Sequence, residues 1–139
     1  MASSGMRAVL VFSLRTTAIG NVIGGLGGLC APDIVAGALY GRDVSGDPLL
    51  LRLHIMFWLF VVALGIGYGL AANRVANGHD ELGLLVAGGL GKVAAAALWI
   101  EMLARGLALP LVAAAVAFDG SLGVLFLAWA GWSVAARKR

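Results

Sequence analysis

Four apolar runs, each about 20 residues or longer, occupy almost the whole chain: Ala8 to Cys30, Leu49 to Ala72, Leu82 to Ala104 and Leu107 to Val134. A helix rises about 1.5 Å per residue, so about 20 residues match the roughly 30 Å hydrocarbon core of a bilayer. A chain of 139 residues, 61% hydrophobic and only 12% charged, is too short to hide that much apolar surface from water. The pattern therefore predicts an all-α polytopic membrane protein, a single domain spanning 1–139 and folded as a four-transmembrane-helix antiparallel bundle. Most of its 21 glycines lie inside the apolar runs, where a missing side chain lets backbones approach, and do not mark a low-complexity tail.

The breaks between the runs carry turn chemistry: Pro32 and the stretch Gly41 to Pro48, then Asn73 to Glu81, then a tight turn around Arg105 to Pro110. So short a last connection makes the final two helices an antiparallel hairpin. Behind Pro32, the loose helical spacing of Ile34, Val35, Ala38 and Leu39 predicts a short helix on the membrane surface. The lone Cys30 excludes an internal disulfide, a CxxC redox pair and a cysteine-rich zinc site. Arg15 interrupts the apolar lead and argues against a cleaved signal, while Leu29 before Cys30 argues against a lipoprotein signal.

Arg7, Arg74, Arg137, Lys138 and Arg139 flank one side of these spans, and Arg42, Arg52 and Arg105 the other. Basic residues concentrate on the cytoplasmic side, so both termini are expected there, in a bacterial inner membrane. The net charge of +3 is densest in the basic tail, which suits an anchor on anionic lipid and not a nucleic-acid footprint. Trp99 at the outer end, with Tyr68, Trp129 and Trp132 toward inner ends, matches aromatic belts at the two interfaces, whereas Trp58 lies too deep for one.

Lys92 and Asp119 constrain function most, because each charge costs about 3 kcal/mol to place at the centre of a membrane helix. Counted from a turn at Arg105-Gly106, Lys92 lies about fourteen residues before it and Asp119 about thirteen after it, which puts them level. Gly88 and Ala96 flank Lys92 one turn either way, and Ala115 and Gly123 flank Asp119 in the same manner, so an interior ion pair is expected. Such a pair either fixes how the helices assemble or takes part in proton transfer, with the two as candidate catalytic residues; whether the chain is an enzyme stays undecided.

Secondary candidates surround this pair. Gly20, Gly24 and Gly28 form a doubled GxxxG face with Thr17 and Asn21 beside it, and Gly65 and Gly69 repeat the spacing on the next span as its expected partner. Arg15 lies on nearly the opposite face, snorkelling to headgroups or lining a polar cavity. At the outer end Arg52, His54, Glu101 and Arg105 share one leaflet and, with Trp99, form a candidate binding group; Glu101 and Arg105 are also spaced to pair with each other. Gly89-Leu90-Gly91-Lys92 lacks the leading glycine and following Ser or Thr of a phosphate loop. His54 and His79 fall on opposite sides, which excludes a shared haem or metal site, and no metal or cofactor is expected beyond room for a bound lipid or quinone.

A helix ending near Pro32, an amphipathic connection, Leu51-Arg52, Gly65-Ile66-Gly67-Tyr68, Gly89-Leu90-Gly91-Lys92 and an Asp119 in the last helix together resemble small bacterial DoxX-like four-helix membrane proteins. His54 departs from that pattern. Families of this type are largely uncharacterised, and some members are named as small membrane subunits associated with quinone-linked oxidoreductases. The resemblance thus implies an accessory role. The reading that emerges is a small membrane subunit, oligomeric or part of a larger complex, whose partners are lipids and other helices. The alternative is an enzyme or carrier for a lipid, quinone or isoprenoid that uses the charged pair to handle protons.

Overall fold

The computed structural model describes residues 4–137, with Arg137 by its backbone alone, so the basic tail counted above lies largely outside the described residues. Five helices follow in order: α1 (Ser4–Cys30), α2 (Pro32–Tyr40), α3 (Pro48–Ala76), α4 (Leu82–Ala104) and α5 (Val112–Arg137). All but α2 are long and apolar enough to cross a membrane. Large aliphatic and aromatic side chains, such as Phe12, Ile19, Phe60, Ile66 and Leu98, point outward, as a lipid-facing surface requires.

Local chemistry sets the boundaries. Pro32 occupies the first turn of α2, where its missing N–H is harmless, and Gly41 ends the helix at φ 66°, a left-handed conformation natural to glycine. Asp47 caps α3 by accepting from the N–H groups of Leu49 (2.9 Å) and Leu50 (3.1 Å). The last helix begins at Val112 and not at Leu107. Gly106 turns the chain at φ 67°, Pro110 disfavours a helical Leu109, and the Leu109 N–H is taken by the Leu39 carbonyl of α2 at 2.8 Å. At the other end α1 and α3 each run about a turn beyond the apolar limits read from sequence.

The helices form two tight antiparallel pairs, α1 with α3 and α4 with α5. In the first, Gly65 lies against Ala18, Asn21 and Val22, while Gly25 abuts Val62 and the backbone of Trp58. In the second, Gly89 and Gly123 touch: a Cβ on Gly123 would stand 2.9 Å from the Gly89 carbonyl oxygen and 3.0 Å from the Val93 nitrogen. Between the pairs the spacers are large side chains. Leu10 and Leu14 of α1, Tyr68 of α3, Leu85 of α4 and Phe126 of α5 make one buried cluster in the half of the bundle that carries the termini. In the other half α2 bridges the pairs, its Tyr40 stacked on Trp99 of α4 with ring centres 5.7 Å apart.

The loop from α2 to α3 is fastened by Asp33, which accepts from the N–H groups of Val44 (3.0 Å) and Ser45 (2.9 Å). Its side-chain contact with Asp43, followed by the Val44 amide, the Ser45 hydroxyl and the Ser45 amide, lowers Asp33 from 3.8 to about 2. A folded-state value below the unfolded one means the contribution is complete above the unfolded value and disappears as pH falls through the folded one. The stability advantage of wild type over Asp33→Asn, measured by thermal unfolding in detergent, should therefore be full above 3.8 and vanish as pH falls to 2. In a separate experiment Gly123→Ala should lower thermal stability by about 1–3 kcal/mol through overpacking. Gly131→Ala, where a Cβ meets nothing within 4 Å, should raise it by about 0.5–1 kcal/mol.

Candidate functional site

The Gly89–Gly123 contact fixes the register of α4 on α5, and Lys92 and Asp119 each lie about one turn from it, on the same side. The Lys92 ammonium donates to Oδ1 of Asp119, closing an ion pair in the middle of the bundle. Lys92 is 8% exposed and Asp119 22%, so the cation is the more deeply desolvated partner. Two aromatic rings complete its surroundings: the ammonium lies 5.8 Å from the ring centre of Tyr68 and 5.4 Å from that of Phe118. Both distances suit a cation against a π face.

Each ring has a glycine behind it. Tyr68 is fully buried, and its hydroxyl lies over Gly88, where any Cβ would overlap it. Phe118 reaches Gly20 of α1, where a Cβ would stand 3.3 Å from the ring. Gly88 therefore makes room for α3 and not for α5, the α4–α5 approach being made by Gly89 instead. The Tyr68 hydroxyl has no hydrogen-bond partner among the described residues. It is the one such buried side-chain atom found among them.

The glycine face Gly20, Gly24 and Gly28 does not act as one contact line. Gly28 lies beneath the Trp58 indole and Gly20 beneath Phe118, but Gly24 barely reaches Trp58 at 4.0 Å. The α1–α3 seam instead runs through Gly25, Gly28 and Gly65, with Gly69 at an ordinary 3.7 Å from Ala18. Thr17 donates to the Ser13 carbonyl (2.8 Å) and Ser13 to that of Val9 (2.9 Å), so both hydroxyls are absorbed by their own helix. Asn21 lies half-buried beside Gly65, in the seam and away from the ion pair.

The outer polar group does not assemble. Glu101 pairs with Arg105 at 2.7 Å, one turn along the same helix. His54 is buried, and its Nε2 accepts from the Trp58 indole N–H at 2.9 Å, which places the imidazole proton on Nδ1 and spends the ring on holding Trp58 over Gly28. Arg52 is exposed, and Trp99 is occupied by stacking on Tyr40. Burial pushes the Tyr40 hydroxyl up to about 12, so it stays protonated at neutral pH. Arg15 is exposed on the outer face of α1 in a shallow groove with Arg7 and Ala76, apart from Lys92 and Asp119.

Tyr68 and Phe118 are the site residues that sequence reasoning missed. Tyr68 reads as an interfacial tyrosine if its helix stops at Ala72; the helix continues to Ala76, which sets the ring a turn deeper. The available signal was its position in the Gly65-Ile66-Gly67-Tyr68 run, among glycines that let a neighbouring helix close on the ring. Two clefts flank the site. One, of about 290 Å³, opens at the terminal end among Arg7, His79, Glu81 and Trp132. The other, of about 330 Å³, lies beneath α2 at the opposite end. Neither is lined by Lys92 or Asp119. No family model, curated protein or solved structure matches the chain.

Removing either charge strands its partner in low dielectric, at a cost of about 3–5 kcal/mol for a buried pair. Asp119→Asn, which leaves the more buried Lys92 alone, should lower thermal stability in detergent more than Lys92→Met. The double variant should be less impaired than the two losses added together, by more than about 1 kcal/mol. Additive losses would mean that the two groups are not coupled.

Proposed function

We propose that this chain is a small multi-pass subunit of the bacterial cytoplasmic membrane that works through its helix surfaces, as a homo-oligomer or as an accessory component of a larger complex. The observation that carries this reading is the closure of the charged site upon itself. Lys92 is matched by Asp119, faced by two rings and enclosed by glycine contacts, leaving an internal lock with no cavity beside it in either flanking cleft. What the molecule then offers to its surroundings is a perimeter of apolar helix faces. In this reading both termini face the cytoplasm, supported by Arg7 and Arg74 joining the basic tail on one side. Purification in mild detergent, followed by native mass spectrometry, should give a species larger than one chain or a co-purifying membrane protein. A strict monomer with no companion would overturn the proposal.

The unpartnered Tyr68 hydroxyl favours a second reading, in which the pair handles protons for a lipophilic substrate. The two readings diverge at Tyr68→Phe. If the pair is a lock, removing an unsatisfied buried hydroxyl leaves stability unchanged or raises it by about 1 kcal/mol, and the oligomeric species persists. If the pair handles protons, Tyr68→Phe should shift the infrared carboxyl band of Asp119, the band being identified by its absence from Asp119→Asn.

A further inference from the structure

The cleft beneath α2 combines a lipid-like wall with one cation, Arg42, that no carboxylate of the fold pairs with. Leu50 and Phe57 of α3, Met102 of α4 and Leu107 of the following turn line its apolar sides, while Tyr40 and Arg42 stand at its rim. Its volume, about 330 Å³, lies at the lower end of the roughly 300–1,000 Å³ typical of small-molecule sites. It lies at the membrane end opposite the termini, where a chain of methylenes would continue into the bilayer and a headgroup would remain at the interface.

Every carboxylate in the α2–α3 connection is engaged by the protein: Asp33 by the amides of Val44 and Ser45, Asp43 by the Ser45 amide and hydroxyl, and Asp47 by the first turn of α3. Glu101 is taken by Arg105. Arg42 itself has no ion-pair partner among the described residues, although it adjoins Asp43 in sequence. Arg105 has Glu101 and Arg74 has Glu81. A guanidinium at an interface with no carboxylate of its own is suited to a phosphodiester, which it binds through several N–H groups at once. This end of the bundle nevertheless carries more acid than base. Asp33, Asp43, Asp47 and Glu101 stand against Arg42, Arg52 and Arg105 at this end, so a purely anionic head would meet repulsion beyond its first contact.

We propose that this cleft binds a phospholipid with an ethanolamine headgroup: its phosphate on Arg42, its ammonium toward the acidic α2–α3 loop, and one acyl chain along Leu50, Phe57 and Met102. Tyr40, held in place by the ring stack on Trp99, lines the same cleft as Arg42 and offers its hydroxyl as a second donor for the phosphate. His54 shares the wall but is committed to Trp58, so it shapes the cleft without binding the head. The site requires only that the chain is embedded in a membrane, and it stands whether the subunit is oligomeric or not.

The test is lipid retention by the full chain in native mass spectrometry, with delipidated protein titrated separately with phosphatidylethanolamine, phosphatidylcholine and phosphatidylglycerol of matched acyl chains. The ethanolamine lipid should bind most tightly. Arg42→Gln should weaken that binding about tenfold, whereas Arg52→Gln, an exposed cation of α3 outside the cleft, should not change it. Leu107→Trp, which fills the cleft and leaves Arg42 intact, should also weaken it. Circular dichroism and thermal unfolding should show each variant folded. Equal or tighter binding of phosphatidylglycerol, unchanged retention in Arg42→Gln, or equal occupancy by soluble phosphoethanolamine without acyl chains would each overturn the assignment.

Discussion

An ammonium group in the middle of a bilayer has nowhere to go unless the protein supplies its counter-charge, and the placement of all four spanning helices can be traced to that need at Lys92. The counter-ion comes from α5, and it is in reach only because Gly89 and Gly123 bring the α4 and α5 backbones into contact about a turn away. The remaining directions are closed by Tyr68 from α3 and by Phe118, whose ring has room only because α1 presents Gly20 behind it. Rotating any one helix out of this arrangement would uncover the charge to lipid. In a solvent that cannot solvate it, that penalty sets helix orientation more sharply than burial of apolar surface does.

Lipid is as apolar as leucine, so no hydrophobic force draws these helices together once they are inserted. Two other devices serve. Within each pair, glycines replace side chains with backbone contact, gaining dispersion energy over a long seam. Between the pairs, a cluster around Tyr68 and Phe126 fills the space at the terminal end, and α2 spans it at the other. The two ends are built differently: one is closed by packed side chains from all four long helices, the other by the short helix α2.

Hydropathy made the four spans, the short α2 and the α4–α5 hairpin legible, because length and apolar content are one-dimensional properties. Depth is one-dimensional too, and counting from the Arg105-Gly106 turn sets Lys92 and Asp119 level, as they are in the bundle. Rotation is not. Successive residues of a helix point about 100° apart, so Gly88 and Gly89 address different neighbours, and only the assembled bundle says that the first faces Tyr68 and the second faces α5. The same ambiguity hid Gly25 behind the regular spacing of Gly20, Gly24 and Gly28. The outer polar group failed for a different reason. Glu101 and Arg105, like His54 and Trp58, have partners one turn away on their own helices, where side chains four apart are already neighbours.

The contacts of α2 have a consequence for how the molecule is made. Its carbonyl at Leu39 is matched by the Leu109 amide and its Tyr40 ring by Trp99, so both partners lie more than fifty residues further along the chain. While the ribosome is still producing α4, α2 is tied only to its neighbours in sequence, through Asp33 and the amides of Val44 and Ser45. It locks only when the α4–α5 turn has crossed to the same side of the membrane, which makes this short helix a latch that registers arrival of the final hairpin. Assembly of the chain is thus ordered from its N-terminal end: the first pair can close early, the last pair docks late, and a nine-residue helix gains its remaining partners only then.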